Sequence, residues 1–343
     1  MRFTANHLTL LRILLLPLPF FLVYGGTWER MAALAAATLL GVTDYVDGVM
    51  ARRQGVTSLG KLLDPIADKI FVAVIFLPLV DLRILPLWIL WPILLREFLV
   101  TELRRFGSNA ETPLNVTELA KVKTTVQMTG AGVILITATF PERAVPATLL
   151  AAALVLAAAA GLARRVRTGA FPRRAWIGMG FVALALAIRL AWDARTSVVI
   201  YGGVILAITL VSAAGYVRRA LPPLRRAGLP GLLSLLATLS LPLVALGLLP
   251  LAPGATGLVL SIVCVEFAAQ ALDIWALQQG AGDLSWIKIR LLAPAALAAL
   301  AAGLAWMPVE DAATLYLAFA GAGSFSYALY DFWHHRRLLR RGI

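Results

Sequence analysis

Apolar stretches of roughly 17 to 25 residues recur along the whole of this chain, and each is long enough to cross a bilayer as a helix. Hydrophobic residues make up 60% of the 343 residues and charged residues 14%, a balance typical of membrane proteins. The pattern predicts an all-α integral membrane protein with about twelve transmembrane helices. The predicted spans are 8–24, 31–49, 63–81, 85–102, 124–140, 146–163, 175–192, 197–217, 230–250, 255–277, 289–307 and 312–333.

The net charge of +13 comes from Arg and Lys residues that cluster in every second connection between these spans. The intervening connections hold at most a lone arginine, such as Arg83, Arg143 or Arg195. Positive charge collects on the cytoplasmic side of membrane proteins, so we expect a multi-pass protein of the cell (inner) membrane with both termini in the cytoplasm. The positive charge is then explained by the membrane topology and by attraction to anionic membrane lipids. It does not indicate a nucleic-acid partner.

Four aspartates stand in one short stretch of this apolar chain: Asp44, Asp47, Asp64 and Asp68. The first two are three residues apart and the last two are four apart, so each pair lies on one face of a helix. Acidic residues at membrane depth are costly and usually functional. Carboxylates on two facing helices suit hard cations such as Mg²⁺ or Mn²⁺. The spacing therefore predicts a site for divalent ions at the cytoplasmic end of the helices.

Small and basic residues accompany the aspartates. Gly48 and Ala51 would let a ligand approach the backbone closely, and Arg52 offers a planar fork suited to phosphate. Gly60 begins the helix that carries Asp64. Carboxylates, cations and an arginine at the membrane boundary fit a diphosphate held at the level of the lipid head groups. A solvated helix end with scattered acids is the alternative.

The order Asp44, Asp47, Gly48, Ala51, Arg52, Gly60, Asp64 and Asp68 resembles the signature of the CDP-alcohol phosphatidyltransferases, D-x2-D-G-x2-A-R-x8-G-x3-D-x3-D. Seven residues rather than eight separate the arginine from the second glycine. The resemblance implies two divalent ions on the pyrophosphate of CDP-diacylglycerol. It implies that all four aspartates bind metal, that Asp68 is also the general base, and that Gly48, Ala51, Arg52 and Gly60 bind the CDP portion.

Two further stretches are similar to the phosphatidylglycerophosphate synthase branch of that family. NHLTLLRILLLP carries Asn6, Thr9, Arg12 and Pro17, and REFLVTELRRFG with LAKVKTTVQM resembles the fourth-helix and fifth-helix segments of the branch. The likeness covers residues 1–165 and implies a six-helix catalytic bundle. It also implies transfer of the phosphatidyl group of CDP-diacylglycerol to glycerol 3-phosphate with release of CMP, and a homodimer.

An acceptor that carries a phosphate needs cations beside Asp68. The candidates are Arg96, Arg104, Lys121 and Lys123, all on the cytoplasmic side. For the two lysines, the alternative is the ordinary positive charge of an inner loop. For Arg96, the alternative is a structural pair with Glu97 or with another helix. Arg12 in the first span either reaches toward the interface or takes part in the site.

Three other functions stay open at this point. The same chemistry with another alcohol acceptor, such as inositol phosphate or serine, would leave the aspartates unchanged. A twelve-helix transporter coupled to cations would suit the helix count, but the second half does not repeat the polar pattern of the first. A lipid-binding or scaffold protein with a degenerate enzyme domain would need a lost catalytic residue, and all four aspartates are present.

The basic connection 164–175 divides the chain, and residues 176–343 form a multi-helix transmembrane region with no recognised motif. We expect a chain truncated near residue 170 to retain some transferase activity. Glu266, Gln270 and Asp273 share one face of a helix in the second region. They predict either a second site or ion path, or hydrogen bonds that fix the packing of helices.

Overall fold

The computed structural model describes residues 5–54, 58–108, 118–168, 173–278 and 308–341. These parts of the chain are helical, with one short 3₁₀ turn at Leu249–Leu251. The α-helices are α1 (Ala5–Leu15), α2 (Pro17–Leu22), α3 (Thr27–Gln54), α4 (Ser58–Asp81), α5 (Leu87–Ser108), α6 (Glu118–Thr139), α7 (Ala144–Thr168), α8 (Arg173–Ala191), α9 (Ala194–Leu248), α10 (Thr256–Gln278) and α11 (Val309–Arg341).

The observed helices follow the predicted spans closely, with two differences. The first span is divided into α1 and α2, because Pro17 lacks the backbone N–H that would continue the helix and begins α2 instead. The spans 197–217 and 230–250 fall in the single element α9. The predicted span 289–307 lies outside the described residues.

Judged by length and hydropathy alone, four helices in the described ranges are apolar enough to cross a membrane: Ala144–Arg167, Ala194–Leu251, Thr256–Ala276 and Val309–Tyr330. That number is smaller than the twelve spans predicted. Helices α3 to α6 are long enough, but each carries several charged residues, which shorten its apolar part. The chain is an all-α membrane protein.

Helix α9 consists of two arms, residues 194–227 and 229–248, joined at Gly228. Gly228 has φ 61° and ψ −149°, a backbone conformation that residues other than glycine rarely adopt. The first arm runs along α5 in one direction and the second arm returns along α5 in the opposite direction. The contacts that trace this reversal are Ser212 with Arg96, Tyr216 with Arg104, Ser234 with Glu102 and Leu243 with Trp91.

Glycines allow α9 to lie close to the helices of the first half. A Cβ added at Gly130 of α6 would overlap the side chain of Ile205. One added at Gly202 would lie 2.8 Å from both Ile89 of α5 and Leu85, which precedes that helix. Helices of the two halves therefore share one packed core instead of forming two separate bundles.

Helix α10 of the second half covers α4 and α5 on another side. The ring of Phe267 stacks on that of Phe98 with centroids 3.9 Å apart and planes 9° apart. The ammonium of Lys69 lies 5.4 Å from the centre of the Phe267 ring, a cation–π distance. Both helices α9 and α10 thus contact elements that carry candidate site residues.

Candidate active site

Helix α3 carries the first part of the aspartate motif and continues further than predicted. It extends to Gln54, so Asp44, Asp47, Gly48, Ala51 and Arg52 all lie on this one helix. The predicted span 31–49 ended before Ala51 and Arg52, and the helix is longer because the chain stays helical beyond its apolar part. The side chains of these five residues lie outside the described ones.

Helix α4 carries Gly60, Asp64 and Asp68 on its first turns, and α1 holds the two carboxylates. The hydroxyl of Thr9 donates a hydrogen bond to Asp64 Oδ1 at 3.1 Å. Arg12 Nη1 lies 3.6 Å from Asp68 Oδ1. Thr9 and Arg12 are three residues apart on one buried face of α1, so this helix fixes both aspartates at once.

The donor set on α4 fits a divalent ion of the hard class. Asp64 and Asp68 present carboxylate oxygens one helical turn apart, and each is oriented by a partner on α1. Within the described part of the chain, no group of three or more metal-binding side chains stands together. Asp44 and Asp47, which would complete such a group, have side chains outside that part.

A buried ionic cluster lies where α5 and α6 meet. Lys123 Nζ donates to Glu97 Oε1 at 2.8 Å, and Arg96 Nη1 lies 3.4 Å from both carboxylate oxygens of Glu97. All three residues are less than 10% exposed. Buried charges need partners, and here one carboxylate serves two cations. The structural pair Arg96–Glu97 considered from the sequence is therefore present, within a larger group.

Helix α9 supplies two more polar partners to the cations of α5. Arg96 Nη2 donates to Ser212 Oγ at 2.9 Å, and Arg104 Nη2 donates to the Tyr216 hydroxyl at 3.0 Å. Ser212 and Tyr216 are buried. The second half of the chain therefore contacts two of the four residues predicted to bind the acceptor.

The structure separates the two candidate lysines of α6. Lys123 is buried in the cluster, whereas Lys121 is exposed on another face of the helix. Lys69 of α4 is within electrostatic range of Asp68, Glu97, Arg104 and Lys123. The cluster on α5 and α6 is thus a neighbour of the aspartates on α4, as an acceptor site must be. The role of Lys121 stays a prediction.

The polar face of α10 packs inside the protein. Glu266 accepts a hydrogen bond from Ser324 of α11 at 3.0 Å, which is the interhelical bond that the sequence allowed. Gln270 and Asp273 are buried on the same helix. For Glu266 the structure therefore supports a role in packing.

Sequence reasoning did not assign Lys69, Ser212 or Tyr216 to the site. A signal for the last two was available, because Thr209, Ser212, Tyr216 and Arg219 follow one another at spacings of three, four and three residues. Those spacings place them on one face of α9. Polar residues on one face of an otherwise apolar helix indicate a buried polar contact.

The model of the CDP-alcohol phosphatidyltransferase family matches residues 2–163. Among curated proteins, the CDP-diacylglycerol–glycerol-3-phosphate 3-phosphatidyltransferase of Rickettsia bellii is 39% identical over 128 residues, which cover 36% of this chain and 69% of the relative. The enzyme of that name from Rickettsia typhi is 35% identical over 141 residues, 40% of this chain and 78% of the relative. The one from Bacillus subtilis is 34% identical over 145 residues, covering 38% and 75%.

No solved structure matches the chain. The site and these matches define a membrane-embedded phosphatidyltransferase. The chain belongs to the CDP-alcohol phosphatidyltransferase family. The match to the family model ends at residue 163, before the helices α9 and α10 that contact the site.

Proposed function

We propose that this enzyme transfers the phosphatidyl group of CDP-diacylglycerol to glycerol 3-phosphate and releases CMP. The observation that carries the proposal is the group of buried cations, Arg96 and Lys123, beside the helix of Asp68. An acceptor with a phosphate group requires such cations near the attacked phosphorus, and one without a phosphate does not. Relatives named for glycerol 3-phosphate support the same acceptor.

Asp44, Asp47, Asp64 and Asp68 would hold two divalent ions, Mg²⁺ or Mn²⁺, against the pyrophosphate of the donor. When bound, such ions polarise the phosphoryl oxygens and neutralise the charge that develops on the departing CMP. Thr9 and Arg12 would keep Asp64 and Asp68 in the orientation required for this role. Gly48, Ala51, Arg52 and Gly60 would contact the CDP portion.

The acyl chains of the donor would occupy an apolar cavity of about 480 Å³ between α3, α4, α6 and α7. Gly41 and Val42 line the cavity one helical turn from Asp44. Phe71 and Ile75 line it on α4, one to two turns beyond Asp68. A lipid whose chains lie there would present its diphosphate at the level of the aspartates.

Asp68 would act as the general base. The hydroxyl oxygen of the acceptor forms a bond to the phosphatidyl phosphorus, the bond from that phosphorus to the oxygen of CMP breaks, and Asp68 accepts the hydroxyl proton. Arg96, Arg104 and Lys123 would hold the phosphate of the acceptor in position, with Lys121 at the exposed edge. Arginine forks suit this because they bind phosphate through two hydrogen bonds.

The placement in the cell follows from the charge pattern. Both termini and the site would lie on the cytoplasmic side of the inner membrane, where the water-soluble acceptor and CMP exchange with solvent. Anionic membrane lipids would surround the basic loops. The homodimer implied by the family resemblance stays a prediction.

Release of CMP by the purified protein tests the proposal. The assay contains CDP-diacylglycerol, Mg²⁺ or Mn²⁺, and one acceptor at a time: glycerol 3-phosphate, inositol phosphate, inositol or serine. We expect metal-dependent CMP only with glycerol 3-phosphate, and none from Asp68→Asn. A different productive alcohol would correct the acceptor, and no CMP with any alcohol would contradict the enzymatic proposal.

A further inference from the structure

The polar face of α9 lies outside the segment that matches the family, yet it contacts the predicted acceptor site. Gln127 of α6 donates to Thr209 at 3.1 Å, and one turn further along Arg96 donates to Ser212. Thr209 and Ser212 also hydrogen-bond to carbonyls of their own helix. Their hydroxyl groups are therefore fixed in direction before any ligand binds.

Tyr216 is the centre of a group of arginines. Its ring centre lies 5.0 Å from the guanidinium of Arg104, 5.4 Å from that of Arg219 and 5.8 Å from that of Arg96. Its hydroxyl accepts the hydrogen bond from Arg104. The side chain is completely buried, so it cannot move aside without opening the core. One tyrosine thus orients cations from both halves of the chain.

Three guanidinium groups around one ring repel one another, and cation–π contacts offset only part of that repulsion. Glu97 pairs with Arg96 and Lys123. A bound anion would reduce the repulsion among these cations. The phosphate of the acceptor is such an anion, and its oxygens match the arginine fork.

We propose that α9 completes the acceptor site, with Tyr216 and Ser212 as positioning residues for Arg104 and Arg96, and with Arg219 as a further cation for the phosphate of the acceptor. This inference rests on the proposed function, because it concerns the affinity for a phosphorylated alcohol. It assigns to the second half a part in choosing the substrate. The donor, bound between α3 and α4, does not depend on these residues.

Two variants with matched controls test this role. Tyr216→Phe removes the hydroxyl that holds Arg104 and keeps the ring; Tyr201→Phe removes a buried hydroxyl of the same helix that donates to the carbonyl of Ala185. Ser212→Ala is paired with Ser240→Ala, because both serines also donate to the carbonyl three residues earlier. All four variants keep the size of the side chain nearly unchanged.

We expect Tyr216→Phe and Ser212→Ala to raise the KM for glycerol 3-phosphate about tenfold, the usual value of a hydrogen bond to a charged group. The KM for CDP-diacylglycerol and kcat should stay within about twofold of wild type, as should all three constants in the two controls. Calorimetric titration of the protein with glycerol 3-phosphate gives a second measure of affinity that needs no turnover.

Equal effects in a variant and its control would overturn the inference, and so would a change confined to CDP-diacylglycerol. Turnover of glycerol 3-phosphate with unchanged KM in all variants would reject the inference and leave the proposed function intact. A wild-type enzyme that neither binds nor uses a phosphorylated alcohol would reject both.

Discussion

The site has an aspartate flank, formed by Asp64 and Asp68 of α4, and a basic flank, formed by Arg96, Glu97, Arg104 and Lys123 of α5 and α6. The two flanks are held in different ways. On the aspartate flank, Asp64 and Asp68 take their partners Thr9 and Arg12 from α1, within the segment that matches the family. On the basic flank, α9 supplies partners from beyond that segment, namely Ser212 and Tyr216 for Arg96 and Arg104. The packed surroundings of the site therefore continue beyond residue 163, where the match to the family model ends.

This difference between the two flanks agrees with their proposed roles in the reaction. Asp64 and Asp68, proposed for donor binding and for base catalysis, take their partners from α1. Arg96 and Arg104, proposed to bind the acceptor, take partners from α9. Changes on the aspartate flank should therefore affect turnover, and changes on the basic flank should affect acceptor affinity.

The largest effect is expected on the aspartate flank. Asp68→Asn removes the proposed proton acceptor, and we expect kcat to fall by about 10² to 10⁴. Binding of CDP-diacylglycerol should persist, because the other three aspartates remain. CMP release and donor binding are measured on the same preparation. Near-normal turnover would remove Asp68 from the role of base.

Removing the second half tests the basic flank as a whole. A chain ending at residue 168 leaves Arg96, Glu97 and Lys123 without the cover of α9, and burying such charges against lipid is costly. We expect this truncated chain to be inactive, whereas the sequence alone predicted some activity. Co-expression of residues 173–343 should restore CMP release.

The two pieces are compared with each other and with the whole chain in isolated membranes. An active first piece with the wild-type KM for glycerol 3-phosphate would restore the view of two independent halves. A co-expressed pair with the wild-type KM would support one shared site.

Within the basic flank, Glu97 balances two buried cations. Glu97→Gln leaves Arg96 and Lys123 without their shared carboxylate, and we expect the free energy of unfolding to fall by about 3 to 5 kcal/mol, as for broken buried ion pairs. Thermal unfolding in detergent measures the loss. The matched control is Glu310→Gln at an exposed position of α11, expected within about 0.5 kcal/mol of wild type. Equal unfolding temperatures for both variants would mean that the cluster contributes no stability.

The smallest effect is expected at the N-terminus of α9. Asp193 caps the helix and accepts hydrogen bonds from the backbone N–H of Thr196, at 3.2 and 3.3 Å to its two oxygens. Hydrogen bonding from Thr196 lowers the pKa of Asp193. The cap therefore stabilises the protein above the ordinary pKa of aspartate, and the contribution disappears as the pH falls through the lowered value.

Asp193→Ala should lower the unfolding temperature slightly at neutral pH, with no change in the KM for glycerol 3-phosphate. Asp193→Asn keeps a capping oxygen and serves as the control. A change of KM in Asp193→Ala would show that any disturbance of α9 reaches the acceptor, and would weaken the specific role of Tyr216.

Much of the fold could be predicted because apolar stretches of membrane length leave little choice but helices. The spacing of the aspartates likewise placed Asp64 and Asp68 on one face of α4. The reversal at Gly228 agrees with the two predicted spans 197–217 and 230–250. The packing of both arms along α5 was hidden, because the apolar pattern of a helix does not specify its neighbour. Tertiary contacts such as Tyr216 with Arg104 join residues 112 positions apart, and no local pattern specifies them.

The most direct measurement is a double-mutant cycle between Arg104 and Tyr216. The KM for glycerol 3-phosphate is determined for wild type, Arg104→Gln, Tyr216→Phe and the double variant. If Tyr216 acts by holding Arg104, Tyr216→Phe should raise KM about tenfold in the wild-type background and less than about twofold when Arg104 is already replaced. The same factor in both backgrounds would contradict the claim that the second half completes the acceptor site through this contact.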